Sequence, residues 1–187
     1  MDTKDYFKRS AALFDERVRA ITGDQWSEPT PCAEWNVREL VDHLTNECLW
    51  VPPLMEGRTI AEVGDRFDGD SLGDDPVGSW SAARSDAEGA VAEPGALDRT
   101  VHLSYADVPG HHYIRQLARD LLIHSWDLAR GIGYNERLPT DLMELAYEDS
   151  KAEEGILRGS SLFGDEVAAD SDASLQEQLL GLLGRKA

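Results

Sequence analysis

Residues 111–133, HHYIRQLARDLLIHSWDLARGIG, decide the fold. At about 100° per residue, Ile114, Leu117, Leu121, His124 and Leu128 share one face of a helix. Ala118, Leu122, Ile123, Trp126 and Ala129 extend apolar surface around most of the remaining circumference. A helix apolar nearly all round is a buried central helix, so other helices must surround it. The chain shows neither alternating βα units nor a Gly-rich phosphate loop, which leaves a helix bundle as the natural architecture.

The flanking sequence supplies the partners. Phe7, Ala11, Phe14, Val18 and Ile21 make one stripe of a first helix from about Thr3 to Thr22, stopped by Gly23-Asp24. A loop rich in Pro and Trp runs from Trp26 to Trp35. Asn36 with Glu39 then reads as a capping box that starts a second helix. Its stripe is Val37, Leu40, Val41, Leu44, Cys48 and Val51, and Pro52-Pro53 predict its end. Thr59 to Glu62 suggests one or two turns more. Asp75-Pro76 caps a helix carrying Val77, Trp80, Ala87 and Val91, which ends before Pro94-Gly95. Thr100 to Tyr105 alternates as an isolated strand or an extended crossover. Asp141 with Glu144 starts a further helix, to roughly Leu157. A loop with Leu162-Phe163-Gly164 leads to a short helix from Ser174 to Leu183, closed by Gly184. The expected fold is all-α: a four-helix bundle with a long crossover and short extra helices, residues 1–187 forming one domain.

Composition narrows the function. The 187 residues carry 36 acidic against 18 basic side chains, a formal net charge of −18. That field repels phosphate backbones and anionic lipid heads, so neither nucleic acid nor a membrane surface is expected as partner. The N-terminus lacks the apolar core of a signal peptide, and no apolar run reaches the ~20 residues a spanning helix needs. Cys32 and Cys48 are too few and too far apart for a CxxC pair or a cysteine-based zinc site. The cytoplasm is the expected compartment. A homodimer through an exposed helix face is compatible with a bundle.

The chemistry concentrates in the central helix. Asp120 and His124 are four residues apart, and Asp127 is three beyond His124, so the three project toward neighbouring parts of one face. Two carboxylates and an imidazole in a buried helix are costly unless compensated. A bound cation compensates them; so does an electrostatic cluster that pairs with Arg119 or Arg130. On the second helix, His43 and Glu47 lie four apart along one margin of the apolar stripe. A set of His43, Asp120 and His124 resembles metal sites built from facing helices of a bundle. Two imidazoles and a carboxylate suit zinc first, with nickel, iron(II) or manganese as alternatives. Three protein ligands leave one coordination position open, the hallmark of a catalytic centre. Asp127 would accept the free ring N–H of a histidine behind the centre, and Glu47 is the other nearby carboxylate. Cys48, in mid-stripe, reads as a small buried hydrophobe, and Cys32 as a loop residue with no evident activating neighbour. The five tryptophans read as core anchors. No G-x-S-x-G elbow supports a serine hydrolase.

Trp26, Pro29-Thr30-Pro31-Cys32 and the run from Trp35 to Leu44, WNVRELVDHL, resemble the opening of the DinB/YfiT-like metalloproteins. More narrowly they resemble the branch related to the metal-binding domain of mycothiol-dependent maleylpyruvate isomerase. Asp120 to Arg130, DLLIHSWDLAR, is similar to the second metal motif of that branch. Leu162-Phe163-Gly164, Asp172 to Gln176 and Leu179 to Arg185 are similar to its C-terminal end. The resemblance implies a DinB-like four-helix bundle with one divalent metal, usually zinc, held by a histidine and a Glu-x-x-x-His pair. These positions fall on His43, Asp120 and His124, with Asp120 one methylene shorter than the glutamate of the pattern. The isomerase has a further C-terminal domain that this chain is too short to include. The function implied is a metal-dependent transferase or isomerase that uses a low-molecular-weight thiol such as mycothiol against an electrophilic small-molecule substrate. Water activation for hydrolysis at the same centre, and a non-catalytic metal-binding or stress-related bundle, are the alternatives.

Overall fold

Four amphipathic helices wrap a single apolar core in a computed structural model, which describes residues 1–33, 35–155, 166–168, 170 and 172–187. They belong to the first of two compact units, residues 1–135; the second comprises residues 136–187. Helix α1 spans Thr3–Ala20, α2 Val37–Met55, α4 Pro76–Ala92 and α5 Gly110–Gly131, with the short α3, Ile60–Val63, between the second and third of these. α1 packs along α5 and α2 along α4, while α1 also meets α4 and α2 meets α5. The chain-consecutive α1 and α2 therefore face each other across the bundle, and their connection must travel over one of its ends.

The apolar stripes explain this packing. Phe7, Ala11, Phe14 and Val18 of α1, Leu40, Leu44 and Val51 of α2, Trp80 and Ala87 of α4, and Ile114, Leu121 and Leu128 of α5 are all buried. Phe14 meets Trp80 edge-on with ring centroids 4.9 Å apart, a favoured geometry for aromatic pairs. The Trp80 indole N–H donates to Asp15 Oδ1 at 3.0 Å, and Asp15 Oδ2 holds Arg19 at 2.9 Å and Arg84 at 3.1 Å. One carboxylate thus satisfies the buried indole and ties α1 to α4.

The helix starts follow their caps. Asn36 accepts from the Glu39 N–H while the Glu39 carboxylate accepts from the Asn36 N–H, closing the capping box of α2. Thr59 and Glu62 do the same for α3, and the Asp75 side chain caps α4 with Pro76 in its first turn. Two expectations need correction. Helix α2 does not stop at Pro52-Pro53 but continues to Met55, because Pro53, Leu54 and Met55 are buried. Only the carbonyls one turn earlier lose their partners to the two prolines, and the Glu56 N–H still bonds to Pro52 O at 3.0 Å. Thr100–His102 is also not solitary. It pairs antiparallel with Asp107–Pro109, with Val101 opposite Val108, as a small hairpin (β1 and β2) leading into α5.

In the second unit, α6, Thr140–Ala152, packs against α7, Leu175–Leu182. Helix α6 begins after Pro139 without a side-chain cap, so Asp141 lies in its first turn and does not start it. Ser174 and Glu177 form the capping box of α7. The Gln176 side chain ties α7 to the entering strand of chain, accepting from the Leu138 N–H at 2.9 Å and donating to Glu136 O at 3.1 Å. Helix α6 ends at Ala152 with Glu153 as its C-cap, short of the Leu157 expected, and Leu157 and Leu162-Phe163-Gly164 lie outside the described residues.

Candidate metal centre

Helix α5 carries Asp120, His124 and Asp127 at spacings of four and three, and α2 brings His43 against them from the facing side. His43 Nε2 stands 3.3 Å from Asp120 Oδ2, and His124 Nε2 3.4 Å from Asp120 Oδ1. The two imidazole rings are 5.4 Å apart at 78°. One donor atom from each of His43, Asp120 and His124 lies within 4.8 Å of the others, so a single ion can reach all three. His124 is buried at 4 % exposure, whereas the side chains of His43 and Asp120 retain 26 % and 24 %. The cluster is thus closed around His124 and open at His43 and Asp120.

The carboxylates around His124 favour a positive charge on the ring or beside it. Burial alone would raise the Asp120 carboxyl, but the facing His124 and His43 rings hold it well below the usual carboxylate range. Burial likewise favours a neutral His124, and Asp120, Asp127 and Cys32 together push it well above the ordinary imidazole value. His124 Nδ1 lies 2.9 Å from Asp127 Oδ2, deep in the core where Asp127 has no exposure. An Nδ1–H donated to that carboxylate leaves the lone pair of Nε2 facing the Asp120 oxygen. Two acceptors face each other there, and a proton or a metal ion must lie between them. The donor set fits a divalent metal: two nitrogens and one carboxylate, with a further carboxylate fixing the ring behind.

Glu47 sits one turn beyond His43, half-buried, and no hydrogen bond joins it to the two histidines among the described residues. Burial, and then the nearby Asp120 charge, raise its carboxyl. His102 is engaged on the hairpin, 2.8 Å from Asp107, and Arg130 lies over the Trp126 ring at 4.3 Å.

The loop between α1 and α2 adds Trp35 and Cys32, which no helical spacing marks. Pro29 and Asn36 form a bridge that closes its second half, and the Thr30 hydroxyl donates to Trp35 O at 2.7 Å. The Gln25 side chain donates to Ile132 O at 2.9 Å, which fastens the start of this connection to the end of α5. A Cβ on Gly131 would stand 3.2 Å from Pro29 O and 3.3 Å from Thr30 Cγ2, so the glycine permits the close approach. Held there, Trp35 stacks on His43 with centroids 4.5 Å apart at 29° and lies 5.7 Å from the His124 ring. It is a half-buried wall of the cluster, not a core anchor. Cys32 comes behind His124, its sulfur 3.3 Å from Asp127 Oδ2 and 3.7 Å from His124 Nδ1. Neither residue lies on a helix face, so no periodicity points to it. Their proximity in sequence to the helix that carries His43 was the available signal. Cys48 is fully buried, and burial pushes its thiol up.

Two uncharacterized proteins, from two strains of Mycobacterium tuberculosis, are each 30% identical over 191 residues, covering 99% of this chain and 98% of their own. The helical fold is similar to the crystal structure of the mycothiol-dependent maleylpyruvate isomerase, with a TM-score of 0.63 at 14% identity over 81% of this chain and 68% of that one. A histidine-to-alanine mutant of that enzyme superposes with a TM-score of 0.56 at 15% identity, over the same shares of the two chains. No helix among the described residues is long and apolar enough to cross a membrane. Residues 7–129, from α1 to nearly the end of α5, match the family model of the mycothiol maleylpyruvate isomerase N-terminal domain, and the chain belongs to that family.

Proposed function

We propose that this chain holds one divalent metal ion, zinc in the first place, through His43, Asp120 and His124. It uses that centre with a low-molecular-weight thiol of the mycothiol type to transfer to, or isomerise, an electrophilic small molecule. The single observation that carries the reading is the convergence of two imidazole nitrogens and a carboxylate from two helices within 4.8 Å. A divalent metal held there supplies the acidity that keeps a bound thiol deprotonated near neutral pH.

The chain's own residues do the rest. Asp127 holds the proton on His124 Nδ1 and so keeps Nε2 turned toward the centre. Trp35 fixes the plane of His43 by stacking and shields the centre from water on that side. Glu47, whose carboxyl burial raises, is placed to hold a proton beside the open face of the cluster. The open approach past His43 and Asp120 is where a thiol and its electrophile would enter. Such thiols are intracellular reductants, so the proposed place of action is the cytoplasm.

The experiment has two stages. Protein purified without added metal is analysed for zinc, nickel, iron and manganese beside His124→Ala. About one equivalent in the wild type and a loss in the variant are expected. The loaded protein is then incubated with mycothiol and maleylpyruvate or another activated electrophile, and thiol consumption is followed. Equal metal content in wild type and variant would refute the centre; metal without thiol turnover would refute the enzyme.

A further inference from the structure

His124 has a second ring nitrogen, and that one also faces atoms able to ligate a metal. Nδ1 is 2.9 Å from Asp127 Oδ2 and 3.7 Å from Cys32 Sγ, and those two are 3.3 Å from each other. Tetrahedral zinc, with metal–nitrogen and metal–oxygen bonds of about 2.0–2.2 Å and metal–sulfur bonds of about 2.3 Å, needs donor separations of about 3.3–3.6 Å. The observed triangle comes close to these edges without any rearrangement of the backbone. Cys32 is partly exposed at the tip of its loop, while Asp127 and His124 form the buried floor, so the position has an entrance on the loop side.

We infer that Cys32, Asp127 and the Nδ1 nitrogen of His124 make a second cation site, for a soft thiophilic divalent ion, and that it excludes the first. A thiolate donor selects softer metals than two imidazoles and a carboxylate do, so cadmium or zinc suits it and magnesium or calcium does not. Exclusion follows from the shared ring. With an ion at Nε2, Nδ1 keeps its proton and donates it to Asp127. With an ion at Nδ1, that proton belongs on Nε2, where Asp120 Oδ1 at 3.4 Å can accept it. The Cys32–metal bond replaces the S–H bond, and the thiol proton leaves to solvent. A soft cation at Cys32 therefore withdraws His124 from the set with His43 and Asp120. This inhibitory consequence rests on the function proposed above; the site itself does not.

The test uses the full chain, stripped with a chelator and titrated with cobalt(II) alone. In a His43→Ala/Asp120→Asn variant, which cripples the first set, a near-ultraviolet thiolate-to-cobalt charge-transfer band is expected. Adding Cys32→Ser abolishes it. A missing band, or one that survives Cys32→Ser, overturns the inference. Should the double variant fail to fold by circular dichroism, wild-type protein is alkylated with iodoacetamide with and without excess cadmium. Slowed modification of Cys32 is expected, and an unchanged rate overturns the site; the buried Cys48 does not compete for the reagent. Ligand-field bands that depend on His43 but never on Cys32 would leave the proposed function standing and remove this inference. Thiolate bands with no contribution from His43 would do the reverse.

Discussion

Asp127→Asn is the most informative single change at the centre. The substitution keeps the shape of the side chain in a site with no exposure, so packing is preserved and no water can replace the lost charge. The His124 Nδ1–H then donates to a neutral amide oxygen at 2.9 Å in place of a carboxylate, giving up the charge-assisted part of the bond. The amide can also turn its NH2 toward Nδ1. That forces the ring proton onto Nε2 and blocks the nitrogen required on the Asp120 side. Loss of a carboxylate partner behind a ligating histidine costs about 10–100-fold in metal affinity, or about 1.4–2.8 kcal/mol. The blocked tautomer places the expectation toward the upper end. The assay is competition for zinc against a chromophoric chelator, in a Cys32→Ser background so that only the Nε2 face is read. Urea unfolding of the metal-free proteins verifies the fold. If the Asn variant folds normally and still binds zinc as tightly as its parent, the ring is not oriented by Asp127 and the account of the site is wrong.

Three further outcomes are expected. Trp35→Ala removes the stack on His43, an interaction of about 0.5–1.5 kcal/mol, and weakens zinc binding several-fold, whereas Trp35→Phe keeps most of it; equal affinities in the same chelator assay would dismiss the stack. In the metal-free protein, the His124 contribution to stability is complete below its unfolded pKa of about 6.5 and is lost as the pH climbs through its raised folded value. The Asp120 contribution is complete above about pH 3.9 and is lost as the pH falls toward its depressed folded value, so this pair stabilises most between about pH 4 and 6.5. Urea midpoints across pH should show an alkaline decline that His124→Ala flattens, and an identical decline in the variant would contradict the assignment. Gly131→Ala gains about 1 kcal/mol of helix propensity against a tight contact with Pro29 and Thr30, so its unfolding midpoint should move little. Its readout is the loop: Trp35 fluorescence and zinc affinity should shift, and if both stay as in the wild type the loop does not depend on that close approach.

The parts of the fold that could be read in advance are those where one residue type answers to one local rule. Phe7, Ala11, Phe14 and Val18 repeat at helical spacing and are buried as that spacing requires. The Asn36–Glu39 and Thr59–Glu62 boxes begin helices because each satisfies two orphan N–H groups at once. The misreadings came where tertiary burial outweighed a local penalty. Pro52-Pro53 costs α2 hydrogen bonds, yet the burial of Leu54 and Met55 carries the helix through. Val108 alone gives Asp107–Pro109 little strand character, and it pairs because β1 lies beside it.

The centre divides along the same line. His43, Asp120, His124 and Asp127 stand on helices, so their spacing shows which faces they share, and the structure brings the four together around His124. Cys32 and Trp35 stand on a loop whose course is set by Gln25 reaching Ile132 and by Gly131 admitting Pro29, both contacts between residues far apart in the sequence. No periodicity encodes such an arrangement. The helix-borne donors cannot move without unpacking Leu121, Leu128 and Leu44 around them, whereas the loop can change residue by residue at little cost to the core. Buried Asp127 and His124 also weaken the fold relative to apolar residues of the same size, since desolvating them is only partly offset by their mutual bond. A bundle that served only as a scaffold would gain stability by replacing them. Under the proposed function the ion they would help to hold accounts for that cost, and the loop over them sets Cys32 and Trp35 beside it.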